Sequence, residues 1–133
     1  MDIQIKGFRR PHSIALSNDG NIYCLCDGME KSIVIISKDG KSKSIKISDL
    51  NLLNVLTLVT NNNNQIIILD DRNNTLNWFD LNLNLIRKLD LVDKKYGALY
   101  YHRLTDELYL SVLDKFKIIK IDNELSISDF YNY

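Results

Sequence analysis

One register recurs along this chain: Asn21-Ile22-Tyr23, Gln65-Ile66-Ile67 and Glu107-Leu108-Tyr109 stand 44 and 42 residues apart. Each triplet opens an apolar run that closes on an aspartate, at Asp27, Asp71 and Asp114. A period of roughly 40 to 50 residues built from short strands marks a β-propeller blade and not a helical solenoid. The sequence therefore predicts an all-β chain of three four-stranded blades. Three blades are too few to close a ring, so the repeat constrains assembly as much as fold.

Turn residues divide the chain into twelve strand-like runs. The first unit reads as Ser13 to Ser17, a tight Asn18-Asp19-Gly20 turn, Asn21 to Cys26, Ser32 to Ser37 and Ser44 to Ile47. The second reads as Val55 to Thr60, a turn at Asn61 to Asn64, Gln65 to Leu69, Leu76 to Phe79 and Leu85 to Leu89. The third reads as Ala98 to His102, Glu107 to Leu113, Phe116 to Ile121 and a short last strand near Leu125 to Ser128. This places the blades at 8–48, 49–92 and 93–130, with residues 1–7 as an outer strand preceding the first. The run Gln65-Ile66-Ile67-Ile68-Leu69 does not alternate, as expected of a strand covered on both faces. The asparagines at 61 to 64 read as a polar hairpin tip.

Lys+Arg and Asp+Glu both number 17 in 133 residues, so no global field draws the chain toward nucleic acid or an anionic membrane. No apolar stretch approaches the length of a membrane span. The first residues, Met1-Asp2-Ile3-Gln4-Ile5-Lys6, do not have the pattern of a signal peptide. Cys24 and Cys26 lie two apart in a predicted strand, share a face and read as free, buried thiols. A cytoplasmic location follows as the expectation. Two histidines, His12 and His102, are too few and too distant to complete a metal site with them, and no metal or cofactor is expected.

Pro11-His12-Ser13-Ile14-Ala15-Leu16-Ser17-Asn18-Asp19-Gly20-Asn21-Ile22-Tyr23, followed by Asp27 and Ser37-Lys38-Asp39-Gly40-Lys41, resembles one NHL repeat. Asp71-Arg72-Asn73-Asn74-Thr75 resembles the corresponding turn of a second. The third unit is similar to the looser propeller repeats of bacterial sensor and gluconolactonase-like proteins. The resemblance covers residues 8 to about 128 and implies a propeller. It departs from the metal-dependent propeller lactonases, whose glutamate-bearing start is replaced here by Arg9-Arg10-Pro11.

In such a blade the loop leading into each first strand shares one face with the turn between the second and third strands. That face is expected to carry a ligand site built from Arg9, Arg10, His12, Asn54, Asp71, Arg72 and Tyr96, with Asn51, Lys94, Lys95, Asp27 and Asp114 nearby. Arg9 and Arg10 could clamp a carboxylate or phosphate through planar forks. The three aspartates are expected to cap their own turns. Trp78 and Phe79 are expected between blades, with sugar stacking by Trp78 the alternative. No Ser/His/Asp grouping or Gly-rich phosphate loop is present. The leading expectation is a non-enzymatic module binding a protein, peptide or small ligand. The alternative is a small-ligand sequestering protein or a lactonase/hydrolase-like propeller enzyme assembled as an oligomer. Exposed blade ends predict a homodimer forming a six-bladed ring, in which residues 1–7 supplement the partner's short last strand.

Overall fold

The computed structural model describes residues 9–28 and 30–132, and the outer strand expected at residues 1–7 lies outside them. Among the described residues twelve strands form three antiparallel four-stranded sheets, each ordered as in sequence. The first blade holds β1 (Arg9–Leu16), β2 (Ile22–Asp27), β3 (Ser32–Ile36) and β4 (Ser42–Lys46). The second holds β5 (Val55–Thr60), β6 (Ile66–Asp70), β7 (Thr75–Phe79) and β8 (Leu85–Asp90). The third holds β9 (Tyr96–His102), β10 (Glu107–Val112), β11 (Lys117–Ile121) and β12 (Ile127–Asn132). Two short 3-10 turns, Ile47–Leu50 and Leu113–Lys115, are the only helical elements among the described residues.

One turn design is used five times. In each, the first residue's N–H donates to the carbonyl of the fifth, as in Ser17 to Asn21, Ser37 to Lys41, Asn61 to Gln65, Asp80 to Asn84 and Asp122 to Ser126. The fourth residue is left-handed: Gly20 (φ 89°), Gly40 (84°), Asn64 (55°), Leu83 (62°) and Leu125 (63°). A side-chain oxygen inside the loop accepts backbone N–H groups. Asn61, Asp80 and Asp122 do this from the first position, and Asp19 and Asp39 from the third. Hydrogen bonds from Ser17 and Ser37 lower the carboxyl pKa values of Asp19 and Asp39, and the Asn84 N–H lowers that of Asp80. Their contribution to stability is therefore full above the ordinary carboxylate pKa and is lost as pH falls through the lowered values.

Gly20→Ala should destabilise the protein by about 1 kcal/mol, because an added Cβ at φ 89° is strained even after the Lys38 side chain moves aside. Chemical denaturation of the variant measures this directly.

The same turn design corrects the sequence reading of the last strand. Asp122 holds its loop closed through Ser126, so β12 begins at Ile127 and not near Leu125, and pairs along β11 to Asn132. The third blade thus has its own full fourth strand. Phe116 likewise leaves the predicted strand, because it is left-handed at the end of a 3-10 turn.

The core lies between blades. Tyr23, Leu25, Ile33 and Ile35 of the first blade meet Leu58, Ile66, Ile68 and Phe79 of the second. On the other face of the second blade, Ile67, Leu69, Leu76 and Trp78 meet Leu99, Tyr101, Leu108, Leu110, Ile119 and Ile121 of the third. β6 is buried on both faces, as its unbroken apolar run implied.

Backbone contacts lock the joints at the loop ends. Thr60 Oγ1 donates to the Leu16 carbonyl (2.7 Å), Asn18 Nδ2 to that of Asn62 (3.4 Å), and Asn62 Nδ2 to that of Arg103 (2.8 Å). The asparagine tip is therefore not merely solvated. Asn61 is buried as a turn brace and Asn62 clasps the next blade.

Cys24, Cys26, Val34 and Ile36 form a third buried cluster on the far face of the first blade. The two sulfurs lie 3.3 Å apart and both thiols are free. Burial, with a hydrogen bond to Cys24, pushes the Cys26 thiol up to about 12. The native protein should therefore leave both cysteines unreacted with Ellman's reagent until it unfolds, since only the exposed thiolate is nucleophilic. Rapid release of two equivalents of thionitrobenzoate from folded protein would contradict this.

Candidate functional site

The face at the starts of β1, β5 and β9 holds three separate polar groupings among the described residues. In the first blade, Arg10 sits at a bulge with φ 47° and its guanidinium lies 3.3 Å from Asp27 Oδ2. His12 Nε2 lies 3.2 Å from Asp27 Oδ1. Arg9 opens β1. Asp27 is thus shared by the Arg10 guanidinium and the His12 ring. Arg10 and His12 converge on an internal carboxylate.

The second grouping links the first two blades. Lys31 Nζ donates to Asn54 Oδ1 (2.7 Å), and Asn54 Nδ2 donates to Asp71 Oδ1 (2.6 Å). The turn cap expected at Asp71 is supplied by its neighbour Asp70. Asp70 is completely buried, and its carboxylate accepts the N–H groups of Leu53, Asn54, Arg72 and Asn73 and the Asn73 amide. Arg72 is exposed on the same turn. Asn51 is a left-handed cap on the 3-10 turn before this loop.

In the third blade the sequence reading is corrected at two residues. Tyr96 is not a loop residue: it opens β9 and is buried between the second and third blades. Burial, with the charge of Asp93 beside it, pushes its phenol up to about 12. Asp114 is an exposed residue of a 3-10 turn. The buried carboxylate here is Asp93, paired with Lys115 at 2.6 Å and Lys117 at 3.8 Å. Asp93 is invisible in sequence because its partners are more than twenty residues away. His102 ends β9, with its ring nitrogen at Thr105, on the opposite face from His12. No group of three or more His, Cys, Asp or Glu side chains that could hold a metal occurs among the described residues.

On that opposite face a cleft of about 310 Å³ opens between the second and third blades. Ile67, Trp78, Leu108 and Ile121 line its apolar part, and Asn63, Gln65, Arg87, Asp106, Asp122 and Asn123 its polar part. Trp78 is 2% exposed and lies beneath the Arg87 guanidinium, 4.7 Å from the ring centroid. A sugar could not stack on it without displacing Arg87. The Arg87 Nε is buried with no hydrogen-bond partner among the described residues. Tyr101 donates to Asp106 at the cleft wall, and its oxygen accepts the Asn62 N–H. Sequence reasoning missed this cleft, because its polar groups come from four separate strands and turns. The only signal was the Trp78–Arg87 pair at facing positions of β7 and β8.

No family model matches the chain, and no curated protein matches its sequence. Solved structures do match its fold. A chain of the nidogen–laminin complex superposes with a TM-score of 0.77 at 14% identity, over 93% of this chain and 49% of that one. A streptogramin B lyase gives 0.72 at 14% identity, over 96% and 42%. Virginiamycin B lyase from Staphylococcus aureus gives 0.68 at 17% identity, over 90% and 40%. These are β-propellers of NHL/YVTN and related type. The fold is a partial β-propeller. The chain spans less than half the length of these propellers, and its three sheets are three propeller blades.

Proposed function

We propose that these blades form a non-enzymatic binding module that takes an extended peptide segment of a partner protein into the cleft between the second and third blades. The observation that carries this reading is the buried, unpartnered Arg87 Nε beside a cleft of about 310 Å³. A buried donor without a partner costs about 1–3 kcal/mol, so a ligand carbonyl arriving there would bind favourably. Asp106, Asp122 and side-chain amides line the same cleft as acceptors, beside an apolar part formed by Ile67, Trp78, Leu108 and Ile121. An extended peptide presents alternating carbonyl and N–H groups with side chains between them, which matches that pattern of donor, acceptors and apolar part. The similar fold found in the nidogen–laminin complex supports a role in protein recognition.

Trp78 is the only tryptophan and lies in the cleft wall, so its emission reports on occupancy. In titrations with a panel of short acidic, neutral and basic peptides, at least one class should change Trp78 fluorescence saturably. Arg87→Ala should weaken that binding about 10-fold or more, while Arg10→Ala leaves it unaltered. If no peptide gives a saturable change, the reading fails. Sensitivity to Arg10→Ala alone would move the site to the opposite face.

A further inference from the structure

The two interior joints show what each register position does when a neighbouring blade is present. Residues equivalent by repeat are Ile14, Leu58 and Leu99, and likewise Leu16, Thr60 and Tyr101. Leu58, Thr60, Leu99 and Tyr101 face the preceding blade and are 2%, 6%, 8% and 8% exposed. Ile14 and Leu16, with no described blade before them, are 69% and 59% exposed. Toward the rim of the same face Cys24, Cys26, Val34 and Ile36 are buried, so the opening is confined to the inner strand β1.

At the other end the third blade presents an aromatic face. Tyr100 is 61% exposed, whereas its equivalents Ala15 and Val59 are partly buried in the two interior joints. Tyr109 stacks edge-on against Phe130 at 4.9 Å on this face. Tyr109 is also the repeat equivalent of Tyr23, whose hydroxyl crosses the first joint to donate to the Leu81 carbonyl at 3.0 Å. Leu81 is the second residue of the β7–β8 turn, and the equivalent of that position in the first blade is Lys38.

We propose that these faces are the two halves of one joint, and that a second copy of this chain completes it head to tail. The β1 face of each copy docks on the β9–β10 face of the other, and Tyr109 donates to the second copy's Lys38 carbonyl. A single chain carries both an apolar β1 face and an aromatic β9–β10 face, so each copy supplies what the other lacks. Two copies suffice, because one chain matches 40% to 49% of the length of the similar propellers. Head-to-tail contact that closes after two copies gives a finite ring with no open end.

Light scattering of the intact chain at micromolar concentration should report twice the 15.4 kDa chain mass. Leu16→Glu and Tyr100→Lys, both at exposed positions, should each yield a folded monomer with an unchanged far-ultraviolet spectrum. Mixing the two variants should restore the dimer, because one of its joints is then wild type and the other pairs glutamate with lysine. Tyr109→Phe should raise the dimer dissociation constant about 5-fold. A monomeric or trimeric wild-type chain overturns the proposal. So does a mixture that stays monomeric.

Discussion

Replacing Trp78 by alanine is expected to destabilise the protein by about 3–5 kcal/mol, the largest effect of any single substitution in the second joint. Trp78 is among the bulkiest fully buried side chains, and residues of its own blade and of the third surround it. Its loss removes the transfer energy of the indole and leaves a cavity that two hydrogen-bonded sheets cannot collapse to fill. A further fraction comes from Arg87, whose guanidinium would lose the ring beneath it. Natural domains are stable by only about 5–15 kcal/mol, so the variant should lose a large part of its margin. Urea denaturation followed by circular dichroism measures the change. Trp78→Phe should recover much of the loss, because it retains an aromatic ring in the same joint. A Trp78→Ala loss below about 1 kcal/mol would show that the second and third blades do not pack as described.

Asp70→Ala is expected to cost about 3 kcal/mol and to lower the melting temperature by roughly 10 °C. The carboxylate receives five hydrogen bonds, from Leu53, Asn54, Arg72 and twice from Asn73, at 2.8 to 3.2 Å. It therefore ties the loop leading into β5 to the β6–β7 turn. Alanine removes every acceptor at once, and the donors are only partly reachable by water. Asp70→Asn should have an intermediate effect, because one carbonyl oxygen remains while the amide opposes N–H donors with its own. Asp71→Ala, one residue along, gives up only the bond to Asn54 and should cost no more than about 1 kcal/mol. The contrast between neighbours is the sharper test. Equal effects at 70 and 71 would contradict the assignment of the cap to Asp70.

The architecture was legible in the sequence because it is written locally. Hairpin turns declare themselves through Gly20, Gly40 and the Asn/Asp residues that brace each loop, and all twelve strands lie between such signals. β6 announced its double burial by an unbroken apolar run. Where the reading slipped, the turn itself decided: Asp122 keeps residues through Ser126 out of β12, and Phe116 adopts a left-handed conformation that ends its 3-10 turn.

The polar site was far less legible. Asp27, Asp71 and Asp114 occupy related positions in the repeat, yet one pairs with Arg10 and His12, one with Asn54, and one lies exposed. Their fates depend on which side chains the neighbouring loops bring within about 3 Å, a distance that sequence spacing cannot report. Period, turn chemistry and strand number are properties of short segments, and the sequence by itself determined them for this protein. The tertiary structure alone decided that Asp70 is the buried brace, that Arg87 covers Trp78 beside a cleft, and that Leu16 and Tyr100 stand uncovered at the two ends. Each of these depends on how one blade is stacked against the next, and that stacking joins residues some 40 positions apart in the chain.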